Sequence, residues 1–291
     1  MKSYLAFILA GALATPGTSG PAPVAPGAQA FQVGALRVSA LRDELNIVPN
    51  DGKTFGTDVG PAAVSQVLHA VAAPTDQLTL GVDALLVRMT AHVVLIDTGL
   101  GPKVGGVLLK SLAIAGVQPS EVTDVLITHT HGDHVGGLLN ADGQLAFPNA
   151  TVRMSATEWA WMKTKPAQKS LAAAIAPRVR TFTAGDEVLP GITSVAIFGH
   201  TPGHVGYRIA SQGRSLLDIG DTAHSAVISL AKPEWTIAYD TDAAAGRASR
   251  ETVLAQLAAS HERVFAPHFP FPGVGTIVKS GSGYAWQPEI H

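Results

Sequence analysis

Residues 126–137 read LITHTHGDHVGG. Three histidines and an aspartate, His129, His131, Asp133 and His134, crowd into six positions directly behind an apolar run. His129 and His131 stand two apart, so a chain leaving a strand can aim both imidazoles at one point. A turn at Gly132 can then direct Asp133 and His134 toward a second point close by. Neutral imidazole and carboxylate are the ligands zinc takes where thiolate is missing, and this chain has no cysteine. The stretch therefore reads as two half-sites for divalent ions, each short of ligands.

Three later fragments can complete them, each with its polar residues at the end of an apolar strand. VAIFGHTPGH offers His200 and His204, SLLDIGDTAH offers Asp221 and His224, and RVFAPHFPFPG offers His268. Loops at strand ends carry functional side chains on a rigid scaffold, and acid and imidazole placed there repeatedly form the pattern of a site. His204 reads either as structural or as bonded to a ligand or the turn, and His224 either as structural or as part of the pocket rim. His69, His92, His261 and His291 read as surface or core. Trp159, Trp161, Phe147, Phe269 and Phe271 are candidates to wall an apolar substrate pocket, with the core as their other place.

The elements that must position these residues follow from periodicity. FQVGALRVSAL and QLTLGVDALLVRMTAHVVLIDTG read as several strands, with a loop and a short helix carrying His69 between them. VGGVLLKSLAIAG has helical spacing up to Gly116, followed by a turn and a strand over 122–128. TVRMSA and ITSVAIFGH read as strands, TEWAWMKTKPAQKSLAAAIA as two helical pieces parted near Pro166, and GYRIASQGRSLLDIGDT as a hairpin turning at Gln212-Gly213. AAGRASRETVLAQLAASHE is a helix and RVFAPH a strand. Alternating strands and helices predict an α/β protein of mixed sheets with outer helices.

Composition bounds the partners. The 291 residues carry a net charge of −2 and no basic run, so a small-molecule substrate is expected and nucleic-acid binding is not. At the N-terminus Lys2, an apolar run from Tyr4 to Ala14 and the small residues Ala28-Gln29-Ala30 match the three parts of a secretory signal. The run is shorter than the roughly 20 residues of a membrane span. A signal peptide over 1–30, a folded domain over 31–291, and a periplasmic or secreted location without an integral span are therefore expected. The other reading is an uncleaved anchor with the segment from Pro16 to Gly27 as its tether.

Taken as an ordered set, H-x-H-x-D-H, G-H-T-P-G-H, G-D-T and a late strand-end histidine resemble the metallo-β-lactamase superfamily. The resemblance covers nearly all of the chain after the leader. LIDTG, with Asp97, matches the family's aspartate that orients the metal loop. It implies an αββα sandwich and two divalent ions, zinc first, with manganese, cobalt or iron as other occupants. One ion would lie on His129, His131 and His200, the other on Asp133, His134 and His268, with Asp221 and a hydroxide bridging them. Asp133 would be the catalytic proton shuttle. GVQPSEVTDVLITHTHGDHVGGL, LAFPNATVR, GHTPGHVGY and APHFPFPGVGTI resemble the methyl parathion hydrolase and lactonase branch, whose members are often homodimers. Lactone or ester hydrolysis is the expected reaction, organophosphate triester hydrolysis the alternative, and dedicated β-lactamase activity is disfavoured. A redox protein or a noncatalytic metal-binding module on the same fold is the competing class.

Overall fold

The described residues of the computed structural model are 24–289. Seven strands form a first sheet in chain order: β1 (Ala28–Val33), β2 (Leu36–Pro49), β3 (Gln77–Arg88), β4 (Val93–Ile96), β5 (Asp124–Leu126), β6 (Thr151–Ser155) and β7 (Val179–Phe182). Neighbours up to β4 pair antiparallel, and those from β4 to β7 pair parallel. The second sheet holds β8 (Glu187–Leu189), β9 (Ile192–Ala196), β10 (Val205–Ser211), β11 (Arg214–Asp218), β12 (Arg263–Phe265), β13 (Val274–Ser280) and β14 (Gly283–Pro288). It is antiparallel except where β11 meets β12. The helices are α1 (Pro61–Ala70), α2 (Leu108–Ile114), α3 (Gly132–Val135), α4 (Ala156–Met162), α5 (Lys169–Ile175), α6 (Ile228–Ala231) and α7 (Ala243–Ser260).

Side-chain alternation along the strands assembles the layers. Leu85 and Val87 of β3, with Val94 and Ile96 of β4, pack against Tyr207, Ile209 and Leu216 of the second sheet. Leu86 and Leu95, pointing the other way, pack against Leu108 and Leu112 of α2 and Met162 of α4. Across the molecule Leu217 and Ile277 meet Val253, Leu254 and Leu257 of α7. The order is helix, sheet, sheet, helix, the αββα sandwich expected. With both faces covered, β3 is buried at nearly every position instead of alternating.

Several local expectations are corrected. The strand expected over 122–128 pairs only from Asp124 to Leu126. Its continuation leaves the sheet because the Thr128 N–H donates to the Asp97 carboxylate at 2.9 Å instead of to a neighbouring strand. The helix expected up to Gly116 ends at Ile114, and Gly116 takes a left-handed turn at φ 73. β7, β8, β13 and β14 were not among the expected strands. Of the expected leader, residues 1–23 lie outside the described residues, while Ala28, Gln29 and Ala30 begin β1, paired with Leu41, Ala40 and Ser39.

This arrangement brings the polar loops together. Parallel pairing of β4 with β5 delivers Asp97 and His129 at one sheet end, and parallel pairing of β11 with β12 delivers Asp221 and His268. Two bonds tie the sheets just beneath the histidine loop: Val205 N–H donates to Thr128 O at 3.0 Å, and the Tyr207 hydroxyl donates to Ile127 O at 2.8 Å. Burial holds the Tyr207 phenol well above its ordinary pKa, so it stays a donor. Tyr207→Phe is expected to leave Ile127 O unpaired and to cost about 1–3 kcal/mol in chemical denaturation. An unchanged unfolding midpoint would show that this bond does not fasten the sheets.

Candidate metal centre

Three ring nitrogens converge at the end of β5 and β9. His129 Nε2 lies 3.1 Å from His131 Nδ1, His200 Nε2 lies 3.1 Å from His129 Nε2, and His200 Nε2 lies 2.8 Å from His131 Nδ1. Three mutually adjacent lone pairs cannot all be satisfied by protons in so small a space, whereas a single cation answers all three. Asp221 adds a carboxylate oxygen, with Oδ2 3.1 Å from His200 Nε2 and 3.6 Å from His129 Nε2.

The other oxygen of Asp221 faces the second set. Oδ1 is 3.1 Å from His134 Nε2 and 2.9 Å from His268 Nε2, and all three atoms are buried without an aligned hydrogen-bond partner. Asp133 Oδ2 lies 3.7 Å from His134 Nε2 and 3.8 Å from His268 Nε2. Orphaned buried acceptors are costly, and a cation among them would satisfy all at once. The seven residues expected from the sequence thus meet in two groups able to hold a metal ion, His129, His131, His200 with Asp221 and Asp133, His134 with His268, and Asp221, His224 and His268 form a third, overlapping one.

On His134, His268 and His200 the outer ring nitrogen is held, which decides the nitrogen left for an ion. His134 Nδ1 donates to Asp97 Oδ2 at 2.8 Å, His268 Nδ1 to Gly81 O at 2.7 Å, and His200 Nδ1 to Asp240 Oδ1 at 3.1 Å. Asp97 adopts φ 60, a conformation rare outside glycine, and its carboxylate also accepts from the Thr128 N–H and hydroxyl. Asp240 is braced by the buried Arg250 of α7 at 3.2 Å, whose other nitrogens bond Pro233 O and Trp235 O. His204 sits beneath the cluster: Nδ1 donates to Ile197 O at 2.7 Å and Nε2 accepts from the Asp221 N–H at 3.0 Å. His224 is buried yet lines the cavity, and places Nε2 3.1 Å from Asp221 Oδ2 with its ring stacked on His268. Asp240 and Arg250 were missed from the sequence because neither stands near a ligand along the chain.

The ligand sets floor a cavity of about 570 Å³. Leu80, Val82, Leu100 and Ala238 form its apolar wall, with Asn46 and Tyr239 as polar groups. None of the five aromatics proposed from sequence lines it. Phe147 and Phe269 are core residues, Trp159 of α4 packs against the core, and Phe271 lies under the Arg42 guanidinium. Trp161 sets its ring 5.9 Å from that of His131. Tyr239, which the sequence reading passed over, is the aromatic of the cavity. A larger cleft of about 740 Å³ near Gln32, Arg214 and Arg263 contains none of the candidate ligands.

The model of the metallo-beta-lactamase superfamily matches residues 79–268, the span from the start of β3 to the last candidate ligand. The chain belongs to the metallo-β-lactamase superfamily. Among solved structures, it is similar to AidC, a dizinc quorum-quenching lactonase in complex with a product, at 28% identity and a TM-score of 0.87 over 91% of this chain and 98% of that one. It is also similar to AbOPH, a hydrolase, at 32% identity and a TM-score of 0.83 over 92% and 99% of the two chains. A 45-residue stretch is 53% identical to metallo-beta-lactamase domain-containing protein 1 of Mus musculus, spanning 16% of this chain and only 17% of that protein.

Charge is unevenly shared within this superfamily site. Burial and the neighbouring imidazoles hold His129 well below its ordinary pKa, and His131 falls to about 4 for the same reasons. Burial opposes charge most strongly on His134, His200 and His268, but Asp221 together with Asp133 and Asp97 at His134, Asp240 at His200 and Asp133 at His268 outweighs it, raising all three, His200 to about 9. Burial alone would raise Asp221, yet His134, His268, His129 and His200 draw it well below the carboxylate range. An ion needs neutral imidazoles, so its entry must displace protons from the three raised rings. Zinc added to the metal-free protein near neutral pH is expected to release protons, read by calorimetry in buffers of different ionisation enthalpy. In the metal-free chain the charged His200 contributes stability that is complete below 6.5 and lost as pH rises through about 9. Ion binding strengthens over the same window, so the melting-temperature gap between ion-saturated and ion-free protein should widen with pH. A constant or shrinking gap would contradict this charge assignment.

Proposed function

We propose that this chain is a dinuclear metal-dependent hydrolase of lactones or carboxylic esters. The observation that carries the reading is one buried carboxylate, Asp221, facing two ligand sets on the floor of a cavity with an apolar wall. His129, His131 and His200 would hold one ion, Asp133, His134 and His268 the other, and Asp221 both. Two divalent ions bound there supply Lewis acidity and bring the pKa of water toward neutrality. Zinc is the proposed metal, in keeping with the dizinc relative, although manganese, cobalt and iron take the same donors.

The chain's own side chains do the rest. Asp133 is the more exposed of the two carboxylates that line the cavity, its side chain 30% exposed against 4% for Asp221. Burial pushes its pKa up, but His134 and His268 outweigh that and keep it ionised. Its Oδ2 is placed to take the proton given up by the attacking water and pass it to the departing alkoxide. Leu80, Val82, Leu100 and Ala238 exclude water and seat the apolar part of a substrate, while the Asn46 amide and Tyr239 phenol are the groups available to fix its orientation. Nothing in this arrangement calls for a serine or cysteine nucleophile.

The test is a panel of lactone, aryl ester, phosphotriester and β-lactam substrates, assayed before and after chelation. Chelator-sensitive turnover is expected to be greatest on lactones or esters. Greatest turnover on phosphotriesters would redirect the substrate assignment, and no chelator-sensitive turnover on any substrate would end the hydrolase reading. Asp133→Asn is expected to lower kcat by about 10²–10⁴-fold, the usual share of general acid–base catalysis, with most of the metal retained by elemental analysis. Full activity in that variant would remove Asp133 from the proton path.

A further inference from the structure

Glu158, in the first turn of α4, is fully buried and plays no part in the chemistry above. With Ser155 at the N-cap, the spacing S-x-x-E is that of a capping box, in which the glutamate would reach back to the cap's own N–H. Only half of the box forms: Ser155 Oγ accepts from the Glu158 N–H at 3.1 Å. The carboxylate instead turns inward between two loops from different sheets. Oε1 accepts from the N–H and the hydroxyl of Thr130, both at 2.8 Å. Oε2 accepts from the Thr201 hydroxyl at 2.7 Å and the Gly203 N–H at 3.0 Å.

Those donors have a common feature. Thr130 lies between His129 and His131, and Thr201 follows His200. Neighbouring residues reinforce the clamp, since Ser155 Oγ donates to Gly203 O at 2.7 Å and the Gln168 amide donates to Thr130 O. None of these contacts reaches Asp133, His134 or His268. We propose that Glu158 is a positioning residue that sets the distance between the His129/His131 pair and His200, preorganising that half-site for its ion. The proposal rests on the reading above that these three histidines hold an ion. The carboxylate suits the task because it accepts four bonds and donates none, so each loop finds only acceptors in it.

Glu158→Gln tests this with almost no change of shape. An amide nitrogen would face donors already aimed at the carboxylate. Threonine hydroxyls can rotate away, but the N–H of Thr130 or of Gly203 cannot. Stepwise ion affinities measured by chelator competition are expected to show one ion weakened by about 10–100-fold and the other kept, the size usual when the support of a ligand is lost. Histidine nitrogen NMR should place the loss at His129, His131 and His200. Thr201→Val, which removes one of the four donors, should weaken the same ion by a few-fold, and it decides the question if Glu158→Gln does not fold. Equal weakening of both ions, or no weakening in the variant that folds, would overturn the proposal. A wild-type chain that binds fewer than two ions would instead defeat the dinuclear reading, whatever Glu158 does.

Discussion

The structure is organised around a negative charge that is almost wholly buried. Asp221 is 3% exposed and faces the imidazoles of His129, His134, His200, His224 and His268. An ionised carboxylate left alone at such a place would cost several kcal/mol, so its surroundings must be cationic, through protonated histidines or through bound ions. Its backbone is fixed as firmly as its side chain. The Asp221 N–H is taken by His204 Nε2, and burial with the charge of His200 holds His204 near pKa 3, neutral and therefore able to accept. Gly220 takes φ 47 against that same ring, where a Cβ would come within 2.6 Å of His204 Nε2. Only glycine fits, which gives the glycine of G-D-T a steric cause.

The two sheets exist, in functional terms, to hold that carboxylate opposite its partners. β5 brings His129, His131 and His134 from one sheet, and β9, β11 and β12 bring His200, Asp221 and His268 from the other. Neither sheet alone carries the group of His129, His131, His200 and Asp221 or the group of Asp133, His134 and His268. Metal binding should therefore report on the registry of the sandwich as a whole, which the buried Tyr207–Ile127 bond and the bonds of Glu158 to Thr130 and Thr201 also span.

Much of the candidate site was legible because the residues that meet there sit in short motifs whose spacing is itself the geometry. H-x-H works at strand-like spacing, and one turn at Gly132 separates the half-sites, so His129, His131, Asp133 and His134 could be divided before any fold was known. Supporting groups obey no such local rule. Asp240 meets His200 forty positions away, and Glu158 meets Thr130 and Thr201 at separations of 28 and 43. Aromatic residues misled for a related reason: Phe147 and Phe269 are rich in apolar area, and the core claims such area before a polar-floored cavity does. The strand after Val122 was overextended because apolar character continues to Ile127, whereas pairing stops where Asp97 captures the Thr128 N–H.

The wall of the cavity and one of its ligands also have a brace in common. Arg250 binds Pro233 O, Trp235 O and the Asp240 carboxylate, and the segment between them carries Ala238 and Tyr239 into the cavity. Asp240 in turn orients His200. A buried guanidinium that has lost one acceptor does not simply go unpaired; the loop shifts to satisfy it or water enters. Movement of the wall would therefore be transmitted to the nitrogen His200 presents, and movement of His200 to the wall. The cavity wall and His200 are thus joined through one arginine of α7, while Leu80 and Val82 of β3, paired with Asn46 and Glu44 of β2, provide a side of the cavity outside that brace.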